Sequence, residues 1–367
     1  MEIHGGNIYK LQREGKKDIL DYSSNINPLG VPESLKKAVS ENFSVLTRYP
    51  DINYTELRES IGKYNNIESE NIIAGNGATE VLFLYIKALK PKKVLIAAPT
   101  FAEYERAVKN AECEIDFFEL KEEDNFILNK DEFIQKAKNY NLAVICNPNN
   151  PTGKFISKEI IFEINENLKK SGTKLFIDEC FIEFISGWKE KTSALFKSEN
   201  IFILRALTKF FALPGLRLGY GICFDKKIIE KINEIREPWS VNGFADLAGK
   251  VILNDIEYIK NTEKWILEER KYFTDSLKEI EENKKIKIYA TETNFILIKL
   301  LEMTSEEFKS RMEEKNILVR NASNFKFLDK SFVRLAIKDR VKNEKVIKAM
   351  KEVLKWEDFL LQEQIVE

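Results

Sequence analysis

Short apolar runs, each closing in a turn, recur through residues 71–224 and alternate with amphipathic helical stretches. They read as strands at Lys93–Ala98, Cys113–Leu120, Leu142–Cys146, Lys174–Asp178, Ile201–Leu204 and Leu218–Phe224, and Asn71–Glu80 reads as a strand, a glycine turn and a helix start. Apolar runs without polar alternation belong to strands buried on both faces, which a helix-covered parallel sheet supplies. The pattern predicts an α/β fold with a mostly parallel sheet.

In open α/β sheets ligands bind beyond the carboxyl ends of the strands. Lys209 falls in the loop after Ile201–Leu204, and Arg217 follows eight residues later. A lysine held there among apolar neighbours can attack a carbonyl, so Lys209 is the candidate to carry a carbonyl cofactor as a Schiff base and Arg217 the candidate to bind its phosphate. The alternative is a solvated surface charge, one among 58 Lys and Arg. The turn Gly75-Asn76-Gly77-Ala78-Thr79 offers backbone N–H groups at a helix start to an anion, or is simply a tight turn.

The segment Thr208-Lys209-Phe210-Phe211-Ala212-Leu213-Pro214-Gly215-Leu216-Arg217-Leu218-Gly219-Tyr220 closely resembles the cofactor lysine segment of fold-type I aminotransferases. The resemblance is to the branch holding histidinol-phosphate aminotransferase and threonine-phosphate decarboxylase, and it covers nearly the whole chain. It implies the pyridoxal 5'-phosphate-dependent transferase fold: a large domain with a seven-stranded, mostly parallel sheet over residues 41–253, then a linking helix and a smaller α+β domain over 254–367. Residues 1–40 would form an N-terminal arm and part of the small domain. A homodimer is implied, with Tyr54 reaching the partner's cofactor phosphate.

Lys209 and Asp178 are then the catalytic candidates. Asp178 ends a strand, where a carboxylate can pair with a pyridinium nitrogen or, alternatively, form a salt bridge. Phe101, just after a strand, either stacks on the cofactor ring or is a core phenylalanine. Asn150, in Asn150-Pro151-Thr152-Gly153, resembles the asparagine that bonds the cofactor's ring oxygen. Gly77, Ala78, Thr79, Thr208 and Arg217 complete the cofactor set. On the substrate side the resemblance implies Asn25, Asn150, Arg334 for an α-carboxylate and Arg320 for a phosphate. An arginine among apolar strand residues, as Arg334 is, needs a partner, whether a bound carboxylate or a structural ion pair. The opening His4-Gly5-Gly6-Asn7 holds the only histidine; it is a flexible tail or, as in threonine-phosphate decarboxylases, encloses the substrate phosphate through His4 and Gly5.

Two departures matter. Phe181 stands where many relatives, the histidinol-phosphate enzymes included, have tyrosine. Ala206 replaces a phosphate-binding serine or threonine. Asp178-Glu179-Cys180-Phe181-Ile182-Glu183-Phe184 and Glu237-Pro238-Trp239-Ser240-Val241-Asn242 resemble the decarboxylase branch. The expectation is decarboxylation of L-threonine O-3-phosphate to (R)-1-amino-2-propanol O-2-phosphate for cobalamin synthesis. The alternatives are a histidinol-phosphate aminotransferase and a non-catalytic regulator that senses the cofactor.

Composition bears on partners. With 58 basic and 59 acidic residues the formal charge is -1, so nothing draws the chain to nucleic acid or anionic membrane, and an anionic ligand must be held by local arginines. No apolar run approaches the ~20 residues of a membrane span and the N-terminus lacks a signal-peptide pattern, so a cytoplasmic protein is expected. Cys113, Cys146, Cys180 and Cys223 match no metal spacing and read as buried free thiols, so no metal is expected. From Asn254 onward, a helix is expected over Trp265–Ile280, followed by strands at Asn294–Ile298, Ile317–Arg320 and Phe332–Ala336 with a helix over Ser305–Lys315. The tail Trp356–Glu367 carries no signal.

Overall fold

The computed structural model describes residues 4–354. Its strands are β1 (Leu20–Asp21), β2 (Ile72–Gly75), β3 (Lys93–Ala98), β4 (Glu114–Glu119), β5 (Leu142–Cys146), β6 (Lys174–Asp178), β7 (Ile201–Ala206), β8 (Gly219–Cys223), β9 (Ile286–Ile288), β10 (Phe295–Leu300), β11 (Ile317–Leu318), β12 (Arg320–Asn321) and β13 (Phe332–Ala336). Seven of them form one sheet in the order β2-β8-β7-β6-β5-β3-β4. Only β8 runs against its neighbours, so the other six point the same way and bring their carboxyl ends to one edge.

Burial explains the apolar runs. Every residue of β5 and β7 is buried, as both helix-covered faces require. Tyr85, Phe202 and Phe176 stack over the sheet, with centroids 4.0 Å apart for the first pair and 5.7 Å for the second. Gly221 permits this stack, because a Cβ there would lie 2.5 Å from the Phe202 ring.

The remaining strands build β12-β13-β10-β9, all antiparallel, and the short parallel pair β1-β11. The run expected as one strand over Ile317–Arg320 changes partner at Val319: Ile317 and Leu318 pair with β1, and Arg320 pairs with β13. Pairing with β1 draws the loop after Asp21 against the four-stranded sheet, where Ala336 N–H donates to the Tyr22 carbonyl at 2.9 Å.

Boundaries differ where caps decide them. The long helix spans Ile256–Glu282 and starts well before Trp265, because the Asp255 side chain accepts from Tyr258 N–H. The helix expected to reach Lys315 ends at Glu314. β9 went unrecognised because three residues with a central lysine carry too short a pattern. Cys146, Cys180 and Cys223 are buried free thiols, whereas Cys113 is only half-buried, since it precedes β4 and does not lie within it. Among the described residues no helix is long and apolar enough to cross a membrane. The stretch Trp356–Glu367 lies outside the described residues.

Candidate active site

The sheet order reverses between β3 and β5: β4 lies outside β3, while β5, β6 and β7 follow on the other side. Loops diverge at such a point and leave a crevice at the carboxyl edge. A cavity of about 200 Å³ occupies it. The turn after β2 contributes Ala78 and Thr79, the turn after β3 Phe101, the turn after β5 Asn150, the end of β6 Asp178 with Phe181 beyond it, and the loop after β7 Thr208, Lys209 and Arg217. Side chains spread over 140 positions thus meet because six strands end at one edge.

Asp178 is buried, and both its oxygens are engaged: Oδ2 accepts from the Tyr104 hydroxyl at 2.6 Å and Oδ1 from Cys180 N–H at 2.8 Å. Burial and the Asp178 charge hold the Tyr104 phenol far above its ordinary range, so it remains a donor. The Lys209 ammonium lies 5.7 Å from the Phe181 ring centroid. Phe181 also packs edge-on against Phe295, with centroids 5.1 Å apart.

A second cavity, about 570 Å³, adjoins the first and shares Phe101, Asn150, Phe181 and Lys209 with it. Its other walls include His4, Gly5, Asn25, Arg320 and Arg334. Arg334 and Arg320 are both 6% exposed and pair directly opposite one another across β13 and β12. Arg334 donates to Asn150 Oδ1 at 2.5 Å and to the Ser23 carbonyl at 2.7 Å, while its Nε has no hydrogen-bond partner among the described residues. Burial, then the charge of Arg320, holds the Arg334 guanidinium well below an ordinary arginine. No carboxylate forms an ion pair with Arg334 among the described residues, which removes the structural ion pair as its explanation. Arg320 donates to the Asn321 carbonyl at 2.8 Å and to Asn324 Oδ1 at 2.7 Å. The Asn25 side-chain oxygen is buried without a partner among the described residues. His4 Nε2 lies 3.0 Å from Glu103 Oε1, and the imidazole stands over Phe101 at 5.7 Å between centroids.

Gly77 lines neither cavity but makes room for one of their residues. Its φ is +84°, and a Cβ there would sit 2.4 Å from a guanidinium nitrogen of Arg217. Gly219 similarly leaves space for the Ala78 backbone, 2.3 Å from where a Cβ would be. Tyr54 is not brought to the site. It is 1% exposed and its hydroxyl accepts from Val241 N–H at 3.1 Å, and it lines neither cavity of its own protomer. Tyr49 is 77% exposed and packs on Trp239, at 4.6 Å between centroids. Tyr104 and the Ser23 carbonyl were missed by sequence reasoning. Tyr104 carried a usable signal, standing one helical turn after Phe101; the Ser23 carbonyl carried none.

A planar phosphorylated pyridine fits the smaller cavity. It offers a buried carboxylate for a ring nitrogen, aromatic walls, a lysine, and an arginine over a side-chain-free glycine turn at a helix N-terminus. Ala206 is buried and supplies no hydroxyl to this cradle.

The family model described as aminotransferase class I and II matches residues 17–350. A curated protein of Caldanaerobacter subterraneus subsp. tengcongensis, provisionally named a threonine-phosphate decarboxylase, is 42% identical over 350 residues, covering 95% of this chain and 93% of its own. The threonine-phosphate decarboxylase of Salmonella typhimurium is 34% identical over 354 residues, 96% of either chain. A solved structure titled as the histidinol-phosphate aminotransferase of Clostridium acetobutylicum superposes with a TM-score of 0.86 at 38% identity, covering 92% of this chain and 99% of that one.

Proposed function

Because the chain belongs to the class I and II aminotransferase family, whose members work with pyridoxal phosphate, we propose that it decarboxylates L-threonine O-3-phosphate in the paired cavities at Lys209. The observation that carries this reading is the register of Arg320 opposite Arg334 inside one cavity. Two buried guanidinium groups side by side call for two anionic groups on one short substrate, and threonine phosphate brings an α-carboxylate and a phosphate. Histidinol phosphate brings only one.

Pyridoxal phosphate would be held by Lys209, Asp178, Phe101, Asn150, Thr208, Arg217 and the backbone of Gly77, Ala78 and Thr79; when bound, it supplies an electron sink for the bond broken at Cα. Asp178, fixed by Tyr104 and Cys180 N–H, would be the group that meets the ring nitrogen. Asn150 has its amide oxygen on Arg334 and so presents its NH₂ to ligand. Arg334 binds the substrate carboxylate, Arg320 and His4 the phosphate, and Asn25 lies beside them. The Cα–carboxylate bond breaks, carbon dioxide leaves, and Lys209 Nζ delivers a proton to Cα. Phe101 and Phe181 limit water around that carbon.

A cytoplasmic homodimer belongs to the same reading. Phe43, Leu46, Tyr49, Ile52 and Trp239 are exposed on one protomer, an apolar patch suited to a second copy.

The structural similarity to a histidinol-phosphate aminotransferase favours a second reading, and a product assay separates the two. Carbon dioxide and aminopropanol phosphate from threonine phosphate are expected. Glutamate from histidinol phosphate plus 2-oxoglutarate, with no carbon dioxide from threonine phosphate, would replace the decarboxylase with the aminotransferase.

A further inference from the structure

Asn25 lines the substrate cavity from the loop that follows β1, and the backbone of that loop is held carbonyl by carbonyl. The carbonyls of Tyr22, Ser23, Ser24, Asn25 and Ile26 accept, in order, from Ala336 N–H at 2.9 Å, Arg334 at 2.7 Å, Lys338 Nζ at 3.0 Å, Asn294 Nδ2 at 3.0 Å and Lys338 Nζ again at 3.0 Å. At the next residue the loop meets the cofactor side, where Asn27 N–H donates to the Lys209 carbonyl at 3.2 Å. A strap over residues 22–27 thus joins the arginine of one cavity to the lysine of the other, with Asn25 inside it.

Lys338 grips the carbonyls on either side of Asn25. It is 8% exposed, lines neither cavity, and is itself fixed: its N–H donates to Asn343 Oδ1 at 2.9 Å, and its carbonyl accepts from Asn343 Nδ2 at 2.8 Å and from Trp265 Nε1 at 2.9 Å. Both partners of the buried ammonium are neutral carbonyls, and placing a charge there costs more than placing a neutral donor such as Asn294. What the charge adds is strength in both bonds.

We infer that Lys338 is a positioning residue for substrate binding: its ammonium clamps the backbone on both sides of Asn25 and so sets where that side chain stands beside Arg334. The inference rests on the function proposed above for its substrate, and on the strap alone for its geometry.

Groups from each element packed around the ammonium bear on its charge. Burial pulls Lys338 down from 10.5 to about 8; Asp21 in the loop opposes this, Lys342 on the following helix adds to it, Asp339 opposes it and Arg334 of β13 adds to it. Glu269, from the long helix, is engaged by Asn343 and Arg340. The ammonium therefore persists below about pH 8 and is lost above it, and the charge-assisted part of both bonds goes with it.

The test compares Lys338→Met with the parent, both cofactor-loaded, reading the dissociation constant for threonine phosphate by stopped flow from the visible absorbance before turnover. At about pH 7 the variant should bind about twentyfold more weakly, with KM rising in step, kcat within about threefold and cofactor affinity unchanged. At about pH 9.5 the ratio of the two constants should fall to about twofold, because the parent has then lost the charge as well; Arg334 and the substrate amine are common to both proteins and cancel. Should Lys338→Met fail to fold, Lys338→Gln, which keeps an uncharged donor, is read in the same way. A ratio equal at the two pH values, or a loss of cofactor affinity matching the loss for substrate, would overturn the positioning role. Binding of threonine phosphate without release of carbon dioxide sinks the decarboxylase and leaves this comparison intact; if only histidinol phosphate binds, the ratio is measured with that substrate.

Discussion

Arg320 and Arg334 stand directly opposite one another in adjacent antiparallel strands, both buried, each inside the same cavity. Like charges placed opposite across a strand pair destabilise the sheet, and Arg334 Nε lacks a partner among the described residues. An anion between them relieves both costs. On the proposed function, an anionic substrate bound at this pair should therefore stabilise the fold.

Arg320→Ala should weaken binding of the phosphorylated substrate by about 2–5 kcal/mol, since a buried phosphate loses a charge-assisted partner. Cofactor affinity should barely change, because Arg320 does not line the smaller cavity that holds Lys209 and Asp178. A KM equal to that of the parent enzyme would remove Arg320 from the site.

Among the described residues, Lys209 is the only lysine lining the cavity at the carboxyl edge. Lys209→Ala should abolish the visible absorbance of the cofactor-loaded protein that borohydride removes from the parent. Mass spectrometry of the reduced parent checks the position: a reductive label on any other lysine would refute the assignment.

Tyr104→Phe should loosen the cofactor without unfolding the chain, as the ring keeps its packing against Phe101 and Phe176. A hydrogen bond to a charged group contributes about 1.5–3 kcal/mol, so cofactor affinity should fall by about ten- to a hundredfold. The dissociation constant can be read from fluorescence quenching. No change would mean that Cys180 N–H alone suffices to hold Asp178.

Glu183 offers a pH dependence of stability. Arg205 donates to Glu179 at 3.1 Å and to Thr192 at 2.8 Å, whereas Glu183 lies 3.5 Å from it with no hydrogen bond to either oxygen among the described residues. One guanidinium thus serves two carboxyls, and burial raises Glu183 from 4.5 to about 7. Between those values the native chain binds more protons than the unfolded one, so this contribution to stability is complete below about 4.5 and fades as pH rises through about 7. Glu183→Gln should flatten that decline in urea unfolding followed from about pH 5 to about pH 8. A decline as steep as the parent's would place its origin elsewhere.

What the sequence determined is what local pattern encodes. Continuous apolar runs such as Ile201–Leu204 specify buried strands, and the residues just past their ends, Phe101, Asn150, Asp178 and Lys209, must then gather at one edge whatever the rest of the chain does. The Thr208–Tyr220 segment likewise carried its resemblance in contiguous residues. Tertiary structure decided everything that depends on which strand neighbours which. Val319 looks like the interior of one strand, yet the partner changes there, and only that exchange sets Arg320 against Arg334. Tyr104 and Asp178 are 74 residues apart, and nothing near either one predicts a bond that arises from packing a helix over β6. Tyr54 and Tyr49 are alike as residues; burial alone separates them, because the Val241 backbone claims one hydroxyl and leaves the other ring in solvent. Periodicity is a property of a segment, whereas pairing, burial and charge opposition are properties of distant segments brought together, and they exist only once the chain has folded.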